Sequence, residues 1–503
     1  MQFLPAPPSF RLLLITAAVA ATFARSLLAQ PTAETPTASL PLVSGQALRP
    51  PPVIKSKNGV LQYTMVAGTG NVTIAGRTVT GTLNFNGQYP GPTLAVNPGD
   101  TMNLTIVNGL NEDTNLHTHG FHVSPAGISD NVLRTMKPGS VSNVSITLPP
   151  NHPAGLFWYH PHMHGLVDEQ IYFGMTGAIL VGNPLSPFPS LRHVKQDVMD
   201  LQGIVLSADG STILPESSHP ADQTILVNGQ YLPTVTMHPN EVRLWRLANI
   251  SNDHFFRLRL PGLKFKIVAL DGNTCDQLVT ADEVLLAPAQ RADVLVIAAK
   301  PGRYTLEQAY FDQGFLKFPP APVLTLRVAG PPVAPIQLPA KLIPFLDLRK
   351  YTNVERQSIV FSESAKAPVF FINHQVFDPS VVTETAPLNK IQEWKLFNRT
   401  TEDHPFHIHT NPFIVTKMND EPVPVHGYRD TVIIPKGQNL TIRFFPRDYL
   451  GKAVFHCHIT FHEDHGMMAI VEWVGPNGQH DHTPCPDCED DMGMGGMHDM
   501  VMP

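Results

Sequence analysis

The sequence predicts an all-β protein in which one β-sandwich is repeated three times. Short runs such as "TMNLTIVN", "SNVSITLP", "EVRLWRLAN", "ADVLVIAA" and "NLTIRFFP" alternate apolar and polar side chains between Pro, Gly, Asn and Asp, as half-buried strands do. Helical periodicity longer than three turns is hard to find. Three segments resemble one another: "NGQYPGPTLAVNPGDTMNLTIVN" from Asn86, "NGQYLPTVTMHPNEVRLWRLAN" from Asn228 and "NHQVFDPSVVTETAPLNKIQEWKLFN" from Asn373. Their starts lie 142 and 145 residues apart, which is the spacing of domains rather than of a solenoid. A second set lies downstream of each: "AGLFWYHPHMHG", "PGRYTLEQAY" and "GKAVFHCHITFH". The expected boundaries are 58–186, 190–332 and 338–475, with histidines in the first and third copies and none in the matching places of the second.

Length and composition agree with this division. A chain of 503 residues is too long for one ordinary core, and domains of roughly 150 residues suggest about three. Only 15% of residues are charged, the formal charge is −7, and Pro and Gly number 49 and 35. That balance suits a β-rich globular protein, and no basic stripe invites nucleic acid or another polyanion.

The ends read differently. Arg11 followed by the apolar run Leu12–Ala24 and small residues near Ala24 and Ala29 predicts a signal peptide over 1–29. The run is too short for a stable membrane anchor. The expected mature protein is therefore exported to the periplasm or beyond the cell, without membrane insertion. Residues 30–57, rich in Pro, Ala and Thr, predict an extended linker, with ordered structure starting near Leu61. Residues 476–503 carry Met492, Met494, Met497, Met500, Met502, His480, His482 and His498, and are expected to be flexible. Thioether and thiolate are soft donors, so this tail is also a candidate gatherer of Cu(I).

Four cysteines cannot make a disulfide framework. Cys275 reads as a small packed residue. Cys485 and Cys488 form a CxxC that fits either a small disulfide loop or a metal site. Cys457 lies among histidines, where metal ligation outranks a structural role.

Four H-x-H units carry the chemistry: His117 and His119, His160 and His162, His407 and His409, His456 and His458. Residues two apart on a strand face the same side, so each unit can aim two imidazoles at one metal cluster. Cys457, between His456 and His458, must then face the opposite way. A thiolate with two histidines and a weak axial methionine is the ligand set of a blue-copper electron-transfer centre. His404, His462 and Met467 are at suitable distances to complete it.

"HTHG", "WYHPHMHG", "HPFHIH" and "HCHITFHEDHGMM" resemble, in order and interval, the four copper signatures of the multicopper oxidases, the group of laccases and bacterial cuprous oxidases. With the threefold repeat, the resemblance covers nearly everything from Leu61 to Val474. It implies three cupredoxin-like Greek-key β-sandwich or barrel domains and four copper ions. Type 1 copper would take His404, Cys457, His462 and Met467, and type 2 copper would take His117 and His407. The type 3 pair would take His119, His160, His162, His409, His456 and His458. Asp130 and Glu463 occupy the places where related oxidases carry the acids that deliver protons to oxygen.

The activity so implied is one-electron oxidation of phenols, aromatic amines or Cu(I), coupled to four-electron reduction of dioxygen to water by a monomeric protein. Copper nitrite reductase, which needs only three histidines at its catalytic copper, fits poorly. A copper-sequestering or copper-tolerance protein is the remaining alternative, favoured by the tail but not by four complete motifs. An axial Met467 would stabilise Cu(II) and favour easily oxidised substrates.

Overall fold

Strands make up almost all of the regular structure in the computed structural model, which describes residues 42–216, 222–298, 300–485 and 488. The expected signal peptide and most of the tail lie outside the described residues. Two short α-helices occur among the described residues, Val167–Tyr172 and Thr460–Asp464. No described helix is long and apolar enough to cross a membrane.

The strands fall into three groups, over 53–181, 195–328 and 354–474, and the groups repeat one pairing scheme. In the first, Val60–Ile74 runs parallel to Thr101–Asn108, which pairs antiparallel with Val141–Thr147. Lys195–Ile204, Val242–Asn249 and Arg291–Ile297 do the same in the second. Val354–Glu363, Ile391–Asn398 and Asn439–Phe444 do so in the third. Each group closes its core with a second sheet.

Repeated asparagines explain why these segments fold alike. Asn86, Asn228 and Asn373 open the three repeats in the left-handed region, at φ 56, 54 and 51°. Asparagine tolerates that region better than most residues do. Each side-chain Oδ1 accepts a backbone N–H of the first strand of its group, from Val66, Asp200 or Val360. Asn108, Asn249 and Asn398 close the segments and are fully buried. Asn249 Nδ2 donates to the carbonyls of His254 (2.6 Å) and Leu286 (3.0 Å), and its Oδ1 accepts the Ser251 N–H. Asn108 and Asn398 make the equivalent bonds.

Burial follows the alternation in Thr101–Asn108, where every second side chain is buried. Val242–Asn249 is buried on both faces. Its second face meets other apolar groups, Val242 and Leu244 with Leu185 and Leu191, and Ala248 with Leu156 and Trp158. A strand covered on both sides loses the polar half of its pattern.

Residues 42–57 correct the expectation of a free linker and of order beginning near Leu61. The Gly45 N–H donates to the Leu232 carbonyl and the Leu48 N–H to that of Thr234. Val53–Lys55 then adds a parallel edge strand beside Thr93–Val96. Pro-rich sequence is compatible with a sheet edge, where one row of donors is not needed, and composition alone does not reveal that pairing.

Asn249→Ala should leave two buried carbonyls without donors and lower stability by about 2–4 kcal/mol. Denaturant midpoints of wild type and variant measure this, and a shift within about 0.5 kcal/mol, as ordinary surface changes give, would contradict it.

Candidate metal centre

Strand register builds the centre. His117–His119 runs antiparallel to Gly155–His160 with His117 opposite His160. In the third group His404–Ile408 runs antiparallel to Gly451–Cys457 with His407 opposite His456. The two constructions face each other. His117 stacks on His409 with ring centroids 3.9 Å apart, and His119 on His407 at 3.8 Å. His162 and His458 follow the strand ends, held by the Asn115 side chain and the Pro405 carbonyl.

All eight imidazoles are buried, and three sets of them bring ligand nitrogens within 4.8 Å of one another: His117, His119 and His160; His117, His407 and His409; His162, His409 and His456. The outward nitrogens are engaged. His117 Nδ1 lies 3.0 Å from Asp130, His119 Nε2 3.2 Å from Asp430, and His456 Nδ1 2.9 Å from Glu463. His160 Nδ1 and His407 Nδ1 donate to the carbonyls of Pro161 and Asp430, both at 2.8 Å.

Opposite nitrogens have no partner: Nε2 of His117, His160, His407 and His409, Nδ1 of His119, and both nitrogens of His458. A buried polar atom left unpaired costs about 1–3 kcal/mol, so this many together fit a bound cation. Burial first, and the neighbouring imidazoles second, hold His119, His160, His162, His407, His409 and His458 well below 6.5. Neutral imidazole is the form that binds metal.

Asp130 also accepts the Thr118 N–H at 2.8 Å, so it fixes both the ring and the backbone of the His117 strand. Glu463 is fully buried and spans His162 Nδ1 (3.3 Å) and His456 Nδ1 (2.9 Å). The sequence reading missed a third carboxylate, Asp430. Arg291, from the group without cluster histidines, forks onto it at 2.8 and 2.6 Å, and Asp271 stands 3.8 Å from Arg291. The second domain thereby braces the cluster between the other two.

On the other side of its strand, Cys457 Sγ lies 3.4 Å from His404 Nδ1 and 3.7 Å from His462 Nδ1, and the two Nδ1 atoms are 3.2 Å apart. Met467 is fully buried, and its carbonyl accepts the Cys457 N–H. Thr400 Oγ1 orients His404 through Nε2 at 2.8 Å, and Phe370 stacks on His462 at 4.0 Å. Burial raises the Cys457 thiol well above 9, so metal binding there releases a proton. Glu402 lies 3.6 Å from His462 Nε2, and burial, with Glu363 beside it, pushes it up to about 7. Sequence reading also passed over Thr400 and Glu402, although both lie just upstream of His404.

Three family models, each described as multicopper oxidase, match residues 66–186, 200–320 and 347–474. The chain belongs to the multicopper oxidase family. Membership implies copper as cofactor, and the convergent imidazoles and the thiolate group fit it. The chain is 27% identical to a multicopper oxidase, mco, of Staphylococcus haemolyticus over 83% of its own length and 90% of that protein. It is 30% identical to the cell division protein FtsP of Edwardsiella tarda, over 80% and 87% of the two chains. Its fold, three cupredoxin-like domains, matches a Campylobacter jejuni multicopper oxidase described as a metallo-oxidase, at TM-score 0.75 and 24% identity over 86% and 95% of the chains.

The histidine cluster should make the metal-free protein acid-labile. Unfolded histidines titrate near 6.5 while His119, His160, His162, His407, His409 and His458 stay neutral, so at these six positions the unfolded chain binds more protons below that pH. The contribution of these imidazoles is complete above about pH 6.5 and falls as pH drops, by up to about 1.4 kcal/mol per pH unit for each, while Asp200 and Asp464, carboxylates that burial raises to about 7 and about 8, act in the opposite direction. Comparing the metal-free wild type with metal-free His162→Gln from about pH 7 to about pH 5 isolates the imidazole, and an equal pH slope of stability in both would contradict its contribution.

Asp430→Ala should cost about 3–5 kcal/mol by leaving Arg291 buried without its main partner. It should also weaken copper retention against a chelator by about tenfold or more. Retention equal to wild type would remove Asp430 from the support of the cluster.

Proposed function

We propose that this protein is a copper-dependent oxidase of laccase type. It would take single electrons from phenols, aromatic amines or Cu(I) at the thiolate group and reduce dioxygen to water at the histidine cluster. The carrying observation is the His456–Cys457–His458 tripeptide, whose thiolate belongs to one group and whose imidazoles belong to the other.

His404, Cys457 and His462, with Met467, would hold type 1 copper; His117 and His407 would hold type 2. His119, His160, His162, His409, His456 and His458 would hold the type 3 pair. Bound copper would supply the one-electron acceptor at the first site and the four-electron reduction of dioxygen at the second.

The chain's own residues do the rest. Cys457 joins the sites through one peptide bond on each side. Glu402, with a proton affinity near neutrality, takes the proton that a phenol sheds as it loses an electron. Asp130 and Glu463, already touching the cluster imidazoles, hold the protons that water formation consumes. Asp430 and Arg291 keep His119 and His407 in one orientation. Residues 1–29 would direct export, which the N-terminal sequence of the mature protein tests by starting near residue 30 or at residue 1.

A second reading follows from the FtsP relative, a role in cell division without oxidation. Oxygen uptake separates the two. The oxidase reading expects one dioxygen consumed for every four electrons donated, without peroxide release; no uptake from the copper-loaded protein with a methoxyphenol or Cu(I) would overturn it. Asp130→Asn, which keeps an acceptor for His117 Nδ1, should keep its copper and slow dioxygen reduction, by about a hundredfold if proton transfer is the role of Asp130. Normal turnover in the fully loaded variant would remove it from the proton path. Glu402→Gln should lower kcat/KM for a phenol by about tenfold or more while sparing a donor such as ferrocyanide that sheds no proton. Equal losses on both donors would contradict the assignment.

A further inference from the structure

A cavity of about 550 Å³ reaches the cluster at His162. His162 forms part of its wall, and so do Asp481, Thr483, Cys485 and Cys488 from the C-terminal segment. Cys485 and Cys488 are joined as a disulfide, and Cys485 is buried. The segment is seated rather than draped: Thr483 Cγ2 sits where a Cβ on Gly127 would be, at 2.7 Å. Met163, His164 and Met468 line the same cavity, and His164 Nδ1 is buried without a hydrogen-bond partner.

We propose that the Cys485–Cys488 pair is a redox-controlled Cu(I) site, which as a dithiol binds one Cu(I) at the wall of this cavity and as a disulfide binds none. A thiol reductant supplies the two electrons. The S–S bond breaks, two protons are taken up to form two thiols, and the reductant leaves as its own disulfide. Cu(I) then displaces both thiol protons without changing its oxidation state.

Three observations support the site. Asn131 Nδ2 points an N–H at both sulfurs, 3.4 Å from Cys485 and 3.6 Å from Cys488, and a donor so placed favours the thiolate that binds metal. Cys485 is buried and Cys488 half-buried, so one sulfur of the pair is sheltered from water. Beside the carboxylates Glu472 and Asp481, the same wall carries two thioethers and one imidazole, Met163, Met468 and His164, which are the soft and borderline donors that Cu(I) accepts. Only passage inward to His162 rests on the reading of the cluster as a copper site; the dithiol site does not.

The test uses the full-length, copper-loaded protein under anaerobic conditions, its copper first reduced with ascorbate. One sample keeps the disulfide; the other is opened with a phosphine and desalted. Both are titrated with Cu(I) against bicinchoninate. The opened protein should hold one more competitor-resistant Cu(I) than the closed one, with new thiolate-to-copper absorption in the ultraviolet. The Cys485→Ser, Cys488→Ser double variant should lack the increment. Equal binding by opened and closed wild type overturns the proposal without any variant, and so does an increment that persists in the double variant. Copper content before titration reports on the cluster separately.

Discussion

Most cluster imidazoles are oriented by a group held against one ring nitrogen, in this protein a carboxylate or a carbonyl, while His458 has no partner at either nitrogen. Asp130 holds His117, Asp430 holds His119, and Glu463 holds His162 and His456. The contacts to His117 and His119 leave Nε2 of the first and Nδ1 of the second without a partner, whereas Nε2 of His162 and Nε2 of His456 lie 3.2 Å from each other. The architecture serves this arrangement. Two domains supply facing histidine pairs by the same strand register, and the intervening domain supplies Arg291, which neutralises Asp430 in the dry interior. Without that cation, a buried carboxylate would tend to protonate.

The thiolate group depends on the same strand. Alternation sends Cys457 to the face opposite its histidine neighbours, so the separation of the two groups comes from a local rule rather than from an elaborate loop. Around it the packing is largely apolar, with Phe370 on His462 and Cys457 and Met467 in the apolar core of the third domain, and Glu402 is the carboxylate at its edge. Burial of the thiol makes metal the natural partner for its sulfur.

Much of this was legible from sequence because it is local. H-x-H spacing and strand period need only neighbouring residues, and the repeated asparagines that open and close the three segments stand in the chain at domain intervals. Asp430 was not legible: His119 is 311 residues away from it and Arg291 139, and a lone "RDT" has no periodic signal. Residues 42–57 misled because their composition suits a linker, while their hydrogen bonds go to Ala75, Leu232 and Thr234 in other parts of the chain. The CxxC left two readings open, and its closure as a disulfide beside Asn131 is likewise set by a contact 354 residues away.

Under the proposed function, one peptide segment joins an electron-accepting thiolate site to a histidine cluster where oxygen is reduced. The most direct measurement is the visible spectrum, copper content and substrate oxidation of Cys457→Ser against wild type. Wild type should be blue, and the variant should lose the colour, one copper and the oxidation of reducing substrates while retaining the cluster copper. Blue colour or undiminished oxidation in Cys457→Ser would contradict it.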